Sequence, residues 1–274
     1  MDVTPPLQPP LPELPQRPFG STGLRVSVLG LGTVKFGRNQ KIKYPTFALP
    51  TDAEILQLLD DAQCLGLNLL DTAPAYGHAE ERLGQLLGAR REQFVIVTKT
   101  GEDFADGEST YNFSAEHTRL SVERSLRRLR TDRLDCVLVH CPRNDFETLN
   151  NSPVFATLAE LKQRGDIRSF GASTSTVAGG LLTLAQADVV MATHSADYTD
   201  EEPVIRRAAE LGKGVLIKKG LGSGSLATGT APRTLEDNFR PIFALPGVSS
   251  LIIGTLNPKH LRENAAAVAR VSGG

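Results

Sequence analysis

The sequence predicts one α/β domain, a (β/α)8 barrel of the TIM-barrel type, from three observations. Short apolar runs alternate with amphipathic stretches in about eight units along the chain, and eight such units close a barrel. The length of 274 residues agrees with the roughly 250 residues typical of this fold. Several apolar runs also end in a polar residue, and the carboxyl ends of the strands are where a barrel of this type has its active site.

The apolar runs are short and continuous, which is typical of parallel strands buried on both faces. In chain order they predict strands near Leu24 to Leu31, Leu67 to Asp71, Phe94 to Lys99, Leu134 to His140, Ile167 to Gly171, Asp188 to Ala192, Gly214 to Lys219 and Leu251 to Ile253.

The stretches between these strands repeat apolar residues at helical spacing. The first helix begins at a capping box, in which Thr51 and Glu54 each bond the other's amide, and ends at Gly66. The other helices are predicted over Ala79 to Leu87, Ala115 to Leu129, Val154 to Arg164, Val177 to Ala185, Glu201 to Leu211, Leu235 to Ala244 and Pro258 to Ala269.

An open, doubly wound sheet is the alternative arrangement of the same units. That fold usually carries a glycine-rich phosphate turn between its first strand and its first helix. Here Gly30-Leu31-Gly32-Thr33 leads instead into a long loop that runs to about Pro50. The barrel is therefore favoured.

The amino terminus has a different composition from the rest of the chain. Residues 1–16 contain six prolines, without the basic head and apolar stretch of a signal peptide. We expect an irregular proline-rich leader over residues 1–16 and a single barrel domain over residues 17–274.

Charge and composition narrow the class of partner. The formal net charge is −1, so the chain has no basic surface of the kind that binds nucleic acid, and a small-molecule partner is expected. Cys64, Cys136 and Cys141 show neither disulfide nor zinc spacing, which fits a reducing cytoplasm. No apolar stretch approaches the roughly 18 residues of a membrane helix, and we expect no membrane partner.

Four residues at or near strand ends are the catalytic candidates: Asp71, Tyr76, Lys99 and His140. A tyrosine hydroxyl has a pKa of about 10, and a neighbouring ammonium lowers that pKa and eases release of the proton. Lys99 is the expected neighbour, and Asp71 is its expected counter-charge, because an unpaired buried ammonium is costly. His140 is expected to hold a carbonyl oxygen beside Tyr76.

Reduction of a carbonyl also requires a hydride, which no side chain supplies and a nicotinamide cofactor does. From about Arg17 to Arg270 the chain resembles the aldo-keto reductase family. The likeness rests on the segments Asp71-Thr72-Ala73-Pro74-Ala75-Tyr76-Gly77, Thr98-Lys99-Thr100, Leu138-Val139-His140, Gly171-Ala172-Ser173 and Glu263-Asn264.

The resemblance implies that the four candidates form the family's catalytic tetrad. In it Tyr76 is the general acid, Lys99 and Asp71 tune that acid, and His140 orients the substrate carbonyl. It also implies that the E-x-x-x-G pattern from Glu80 to Gly84 lets a helix pack closely on the barrel.

The resemblance further implies a groove for NADPH, with NADH as the alternative. Ser173 is expected at the nicotinamide carboxamide, Lys218 or Lys219 at the pyrophosphate, and Thr255 at the 2′-phosphate. Together, the residues expected at the cofactor are Thr33, Ser173, Lys218, Lys219, Leu221, Gly222, Gly224, Thr255, Asn257, His260, Glu263 and Asn264.

The chain departs from the family pattern along this groove. Thr174, Met191 and Lys218 stand where the family commonly has an asparagine, a glutamine and a stacking aromatic residue. The usual basic residues at the 2′-phosphate are also replaced, and Lys259 or Arg262 is the expected substitute. The resemblance therefore leaves the choice between NADPH and NADH open.

The expected function is NADPH-dependent reduction of an aldehyde or ketone, with a small-molecule carbonyl substrate and no metal. The alternatives are a cofactor-binding sensor or regulatory protein with little turnover, and an isomerase or lyase without hydride chemistry. The loops Val34 to Pro50 and Gly101 to Ser114 are expected to set substrate specificity, in a pocket left open by a short carboxyl terminus.

Overall fold

The computed structural model describes residues 13–42, 47–222 and 233–273. Within those ranges the strands are β1 (Gln16–Pro18), β2 (Arg25–Ser27), β3 (Leu29–Gly32), β4 (Leu69–Asp71), β5 (Val95–Thr100), β6 (Glu102–Ala105), β7 (Glu108–Tyr111), β8 (Cys136–His140), β9 (Phe170–Ser173), β10 (Val189–Thr193), β11 (Gly214–Lys218) and β12 (Val248–Ile253). The helices are α1 (Val34–Gly37), α2 (Asp52–Cys64), α3 (Ala79–Leu86), α4 (Ala115–Leu129), α5 (Asp145–Asn150), α6 (Val154–Arg164), α7 (Val177–Gln186), α8 (Glu202–Glu210), α9 (Leu235–Phe243) and α10 (Pro258–Ser272).

Eight of these strands form a closed parallel barrel, in the order β3, β4, β5, β8, β9, β10, β11 and β12, with β12 pairing back to β3. The predicted (β/α)8 barrel is confirmed, and each predicted helix is present. The capping box at Thr51 is formed, and Gly66 follows α2 with a φ of +73°.

The structure corrects one strand prediction and adds elements that the sequence analysis did not predict. The segment from Leu24 to Leu31 is not one strand, because β2 pairs antiparallel with β1 and only β3 joins the barrel. The loop before residue 50 contains the short helix α1, and the loop after β5 folds into the hairpin β6–β7. The further helix α5 follows β8.

Residues 13–16, the part of the expected leader that the structure describes, lie against the barrel. Gln16 pairs with Ser27 within the β1–β2 hairpin. The Leu14 side chain is buried, and its backbone N–H donates to the Leu65 carbonyl over 3.0 Å. Residues 1–12 lie outside the described residues, so the boundary of the leader stays a prediction.

The core divides into two layers that follow the two-residue period of the strands. Leu70, Ile96 and Val137 pack outward among the helices, in the larger apolar cluster. The smaller cluster fills the barrel interior with Phe19, Leu24, Val26, Leu69, Val95, Val97, Cys136, Leu138, Val189, Met191 and Leu216. The inward positions of β4, β5, β8 and β11 continue to Asp71, Lys99, His140 and Lys218. The pleat therefore directs these polar residues to the mouth of the barrel.

The E-x-x-x-G pattern has the structural role expected from the resemblance. Glu80 is buried and accepts a hydrogen bond from the Thr98 hydroxyl over 2.6 Å. A Cβ on Gly84 would overlap the carbonyl oxygen of Arg128 at the end of α4. The absence of a side chain at Gly84 therefore allows α3 and α4 to approach closely.

We expect Gly84→Ala to lower the free energy of unfolding by about 1–3 kcal/mol, because the added methyl meets rigid backbone. Urea unfolding followed by circular dichroism measures this change. Gly273→Ala is the control, since the nearest atom to its Cβ would be the Ala269 carbonyl oxygen at 3.6 Å. Equal stabilities of the two variants would contradict the close-packing role of Gly84.

The described residues contain neither a candidate membrane-spanning helix nor a candidate metal cluster. No helix in these ranges has both the length and the apolar character needed to cross a membrane. In the same part of the chain, no group of three or more His, Cys, Asp or Glu residues is arranged to hold a metal ion.

Candidate active site

The catalytic candidates converge at the carboxyl-terminal mouth of the barrel. Asp71 is the last residue of β4, Lys99 is the second-to-last residue of β5, and His140 is the last residue of β8. Tyr76 follows β4 on a single 3-10 turn, Pro74–Tyr76, whose first residue is proline. Gly77 continues that turn with a φ of +60°, a conformation that glycine adopts without strain. All four side chains line one cavity of about 740 Å³.

Lys99 and Asp71 form a buried ion pair. The Lys99 Nζ donates to Asp71 Oδ1 over 2.6 Å and to the Thr72 carbonyl over 2.9 Å. Only 2% of Lys99 is exposed. Burial alone would lower the pKa of Lys99, but the contacts with Asp71 and Tyr76 outweigh burial and raise that pKa. Lys99 is therefore a fixed cation at neutral pH, as the sequence analysis expected.

Tyr76 lies next to this pair. Its hydroxyl is 3.5 Å from Asp71 Oδ2, and the Lys99 Nζ is 4.7 Å from the centre of its ring. Burial raises the pKa of Tyr76 to about 12, although the Lys99 ammonium acts in the opposite direction. Lys99 thus lowers the pKa of Tyr76 as expected, but this effect is smaller than the effect of burial. Tyr76 is consequently a protonated donor at neutral pH.

His140 completes the group on the other side of the tyrosine ring. The two rings meet edge to face, with their centres 6.2 Å apart and their planes at 85°. Burial lowers the pKa of His140, and the nearby cations Lys99 and Lys218 act in the same direction, while Glu102 opposes them. The imidazole is therefore neutral at pH 7.

Glu102 was not among the predicted site residues. Its Oε2 lies 2.7 Å from the Nδ1 of His140. The two groups do not meet hydrogen-bond geometry in spite of this short distance. The signal that identified the other candidates applies here too, because Glu102 follows β5 directly after Gly101. The segment from Gly101 to Ser114 was predicted to set substrate specificity, without a catalytic group.

Cys141 also lines the cavity, although alternation along a strand would turn it away from His140. The alternation stops because β8 ends at His140. Burial raises the pKa of the Cys141 thiol to about 12, so it is un-ionised at neutral pH and a poor nucleophile.

The expected cofactor residues separate into two groups. The cavity is lined by Ser173, Lys218, Lys219, Leu221, Thr255 and Asn264. Outside its wall are Thr33, Gly222, Asn257, His260 and Glu263. Gly224 lies outside the described residues.

The residues outside the wall have structural contacts of their own. Thr33 donates from its hydroxyl to the Asp71 carbonyl over 3.0 Å and so ties β3 to β4. Asn257 caps α10 by accepting from the Lys259 amide over 2.9 Å. Gly222 closes a turn by donating its N–H to the Lys219 carbonyl over 2.8 Å. Glu263 is exposed and pairs with Lys259 at 3.8 Å.

Lys218 lies inside the mouth of the barrel, beside the residue expected at the nicotinamide carboxamide. Its Nζ donates to Ser173 Oγ over 2.9 Å and to the Thr174 carbonyl over 2.5 Å. Burial lowers the pKa of Lys218 to about 8, against the opposing charge of Glu201. Lys218 thus contacts the residue expected at the nicotinamide carboxamide, and its expected contact with the pyrophosphate stays a prediction.

One residue of the cavity wall, Asn264, has a buried polar atom without a partner. The Asn264 side chain donates to the His260 carbonyl over 2.6 Å, whereas its Oδ1 is buried and accepts no hydrogen bond. An adenine amino group is a donor that would satisfy this oxygen. Because the tetrad and Asn264 line the same cavity, the cavity residues fit a nicotinamide dinucleotide.

The expected substitutes at the 2′-phosphate are already in ion pairs. Arg262 contacts Asp61 on α2 at 2.8 Å, and Lys259 contacts Glu263 at 3.8 Å. Neither pairing identifies the cofactor as NADPH or as NADH.

Comparisons with known proteins agree with this geometry. The aldo/keto reductase family model matches residues 28–238. The Pseudomonas aeruginosa protein PA4992, assigned to the aldo-keto reductases, has a crystal structure that superposes with a TM-score of 0.85 and 50% identity, covering 93% of this chain and 95% of that one. The chain therefore belongs to the aldo-keto reductase family.

Two curated relatives have more specific names. The NADH-specific methylglyoxal reductase of Escherichia coli is 30% identical over 79% of this chain and 70% of its own length. The L-galactose dehydrogenase of Arabidopsis thaliana is 33% identical over 57% of this chain and 47% of its own length. The match with the dehydrogenase thus spans about half of that protein.

Proposed function

We propose that this protein is an NAD(P)H-dependent oxidoreductase that reduces an aldehyde or ketone to an alcohol, with Tyr76 as the general acid and NADPH as the expected cofactor. The observation that carries the proposal is the buried contact of Lys99 with Asp71 beside the Tyr76 hydroxyl. A protonated tyrosine held next to a fixed ammonium is suited to giving a proton to an oxygen that gains negative charge.

Each protein group has a separate task in this reaction. Tyr76 donates its proton to the carbonyl oxygen, and the Lys99 ammonium stabilises the phenolate that remains. Asp71 keeps Lys99 charged and oriented through the 2.6 Å contact. A bound nicotinamide cofactor supplies the hydride. Ser173, Lys218, Thr255 and Asn264 are the cavity residues that would hold it.

The cofactor and the substrate class are the less specific parts of the proposal. NADPH is the family-based expectation, and the NADH-specific reductase among the relatives supports NADH as the alternative. The names of the relatives include a reductase of a small dicarbonyl and a dehydrogenase of a sugar. A small carbonyl or sugar-type substrate is therefore the class to examine first.

The test is consumption of NADPH and NADH with a panel of aldehydes, ketones and aldoses, together with cofactor binding measured by calorimetry. Turnover with at least one carbonyl compound is the expected result. Tight cofactor binding without any turnover would replace the proposal with the sensor function. Failure to bind either cofactor would contradict every hydride-transfer function.

Lys218 provides a prediction about cofactor binding. We expect the affinity for oxidised cofactor to rise about tenfold as the pH increases through about 8, because deprotonation of Lys218 removes a cation that repels the positive nicotinamide ring. The affinity for reduced cofactor, whose ring is uncharged, is expected to change little. Calorimetry on both sides of that pH measures the two affinities. A Lys218→Met variant that kept the same pH dependence would show that Lys218 is not responsible.

A further inference from the structure

Lys218 and Lys219 are consecutive lysines that both line the cavity. Neighbouring residues of a strand point to opposite faces of the sheet, so one of the two would normally turn away. The strand β11 ends at Lys218, and Lys219 follows with a φ of +60°, in the left-handed region that a residue with a Cβ seldom adopts. The kink after β11 therefore brings two lysines to the wall of one cavity.

The amine of Lys218 has two hydrogen-bond acceptors, and both are uncharged. Its Nζ donates to Ser173 Oγ over 2.9 Å and to the Thr174 carbonyl over 2.5 Å. In the part of the chain that the structure describes, Lys218 forms no ion pair with a carboxylate. Glu201, the carboxylate whose charge acts on Lys218, accepts instead from the Thr193 amide over 2.7 Å.

These contacts match the neutral form of the amine. An ammonium carries three N–H donors, whereas a neutral amine carries two and keeps one lone pair. The two acceptors use two N–H groups, and the described residues provide no third acceptor. Burial and the neighbouring Lys219 ammonium both disfavour the charged form and lower the pKa of Lys218 to about 8. A measurable fraction of Lys218 is therefore neutral at pH 7.

Lys99 provides the contrast, because it lines the same cavity. Its Nζ donates to Asp71 Oδ1 over 2.6 Å, and only 2% of the residue is exposed. The ion pair keeps Lys99 protonated, and a protonated amine has no lone pair with which to react. Lys218 is only partly buried, so a small molecule inside the cavity can reach it.

A lysine that is desolvated and lies next to another cation is activated as a nucleophile toward carbonyl carbons. The lone pair of the amine nitrogen forms a bond to the carbonyl carbon, and the π electrons of the C=O bond move to the oxygen. The oxygen then takes up both amine hydrogens and leaves as water, which gives a C=N bond. One amine and one aldehyde thus yield one imine and one water, without oxidation or reduction.

We propose that Lys218 is a carbonyl-reactive residue, whose amine condenses with a small aldehyde to form an imine in the cavity of the cofactor-free protein. The imine forms beside Ser173, the residue expected at the nicotinamide carboxamide. The adduct and the cofactor therefore exclude each other. Only this exclusion of the cofactor rests on the proposed oxidoreductase function.

The charged and titratable groups around Lys218 belong to several elements. They are Glu201 before α8, Lys219 after β11, Lys99 on β5, His140 at the end of β8 and Cys141 directly after it. The pKa values of Lys99 and Cys141 are raised and that of His140 is lowered, so these three groups keep their charges while Lys218 titrates. The reactivity of Lys218 is therefore expected to rise with pH and to level off above about 8.

Reductive trapping of the imine tests the proposal without any measurement of enzyme activity. The cofactor-free protein is incubated with glycolaldehyde and cyanoborohydride at several pH values, and mass spectrometry of its peptides locates the adducts. At pH 7 we expect labelling of Lys218 to be at least about tenfold faster than labelling of Lys259, whose side chain is exposed, because solvated lysines are almost entirely protonated at that pH. Labelling of Lys218 is also expected to level off above about pH 8.

The map of adducts in the wild-type protein decides the outcome, so the test does not depend on a variant. Labelling of Lys99 or Lys219 in place of Lys218 would overturn the proposal. Equal rates at Lys218 and Lys259 would do the same. The Lys218→Met variant is expected to lose the adduct at this position and to keep the labelling of Lys259.

Cofactor binding by the trapped protein tests the exclusion. Calorimetry with NADPH, repeated with NADH, compares trapped and untreated protein. We expect trapping to raise the dissociation constant at least about tenfold in the wild-type protein. The same treatment of Lys218→Met is the matched control and is expected to leave the dissociation constant of that variant unchanged.

The two parts of the proposal fail separately. Equal affinities of trapped and untreated wild-type protein would contradict the exclusion of the cofactor. Failure of the untreated protein to bind either cofactor would instead contradict the proposed function. The labelling pattern would still decide whether Lys218 forms an imine.

Discussion

The Tyr76→Phe variant is expected to lose about 10²–10⁴-fold in kcat, because it lacks the hydroxyl proton that the site holds next to the Lys99 ammonium. Its dissociation constant for NADPH is expected to stay nearly unchanged, since the ring and its packing against His140 remain. Single-turnover kinetics with the best carbonyl substrate, together with calorimetry of cofactor binding, measures both quantities.

Tyr198→Phe is the matched control for this variant. It removes the same hydroxyl group from a tyrosine in the loop after β10, which is not part of the cavity wall. Tyr76→Phe with wild-type kcat would mean that another group delivers the proton, and the tetrad assignment would then be wrong.

The Lys99→Met variant is expected to lose activity and also about 3–5 kcal/mol of unfolding free energy, because it leaves the buried Asp71 carboxylate without its partner. Adding Asp71→Asn removes that uncompensated charge and is expected to restore most of the stability, but none of the activity. Urea unfolding of the two variants, followed by circular dichroism, separates the structural effect from the catalytic one.

A surface ion pair provides the control for this experiment. Lys162 contacts Asp188 at 2.7 Å, but its side chain is 39% exposed. Lys162→Met is therefore expected to cost about 1 kcal/mol or less. Similar losses in Lys99→Met and Lys162→Met would contradict the view that burial makes the Lys99–Asp71 pair critical.

The same buried cluster sets the response of the fold to alkali. The pKa values of Lys99 and Tyr76 are both raised in the folded protein. The contribution of these groups to the free energy of unfolding is therefore fully present below the pKa values that they have in the unfolded chain. It is lost as the pH rises through the pKa values of the folded protein, and the folded pKa of Tyr76 is about 12. We expect unfolding in alkali to begin above about pH 10, the unperturbed tyrosine value.

Much of the fold was predictable because it depends on local patterns. The periods of apolar residues identified the barrel strands and the main helices, and the Thr51 capping box and Gly66 marked the ends of α2. The strand prediction was wrong where pairing between distant segments decides which residues form one strand. The segment from Leu24 to Leu31 has one continuous pattern, yet its first half pairs with β1 and its second half with β4 and β12.

The candidate site was predictable to the extent that its residues end apolar runs. Asp71, Lys99 and His140 were found in this way, and the structure places them in one cavity with Tyr76. Glu102 was missed because its contact with His140 depends on how the β6–β7 hairpin folds next to the barrel. Lys218 was found, but its contact with Ser173 at 2.9 Å was not expected.

The sequence by itself determined the alternation of strands and helices, and with it the inward polar positions at the ends of β4, β5 and β8. Strand period and length are local properties that can be recognised without knowing the partners of each segment. Only the tertiary structure decided that Glu102 faces His140, that Lys218 reaches Ser173, and that burial outweighs Lys99 in setting the pKa of Tyr76. These properties depend on distances between remote segments and on how completely water is excluded, and both arise only when the barrel closes.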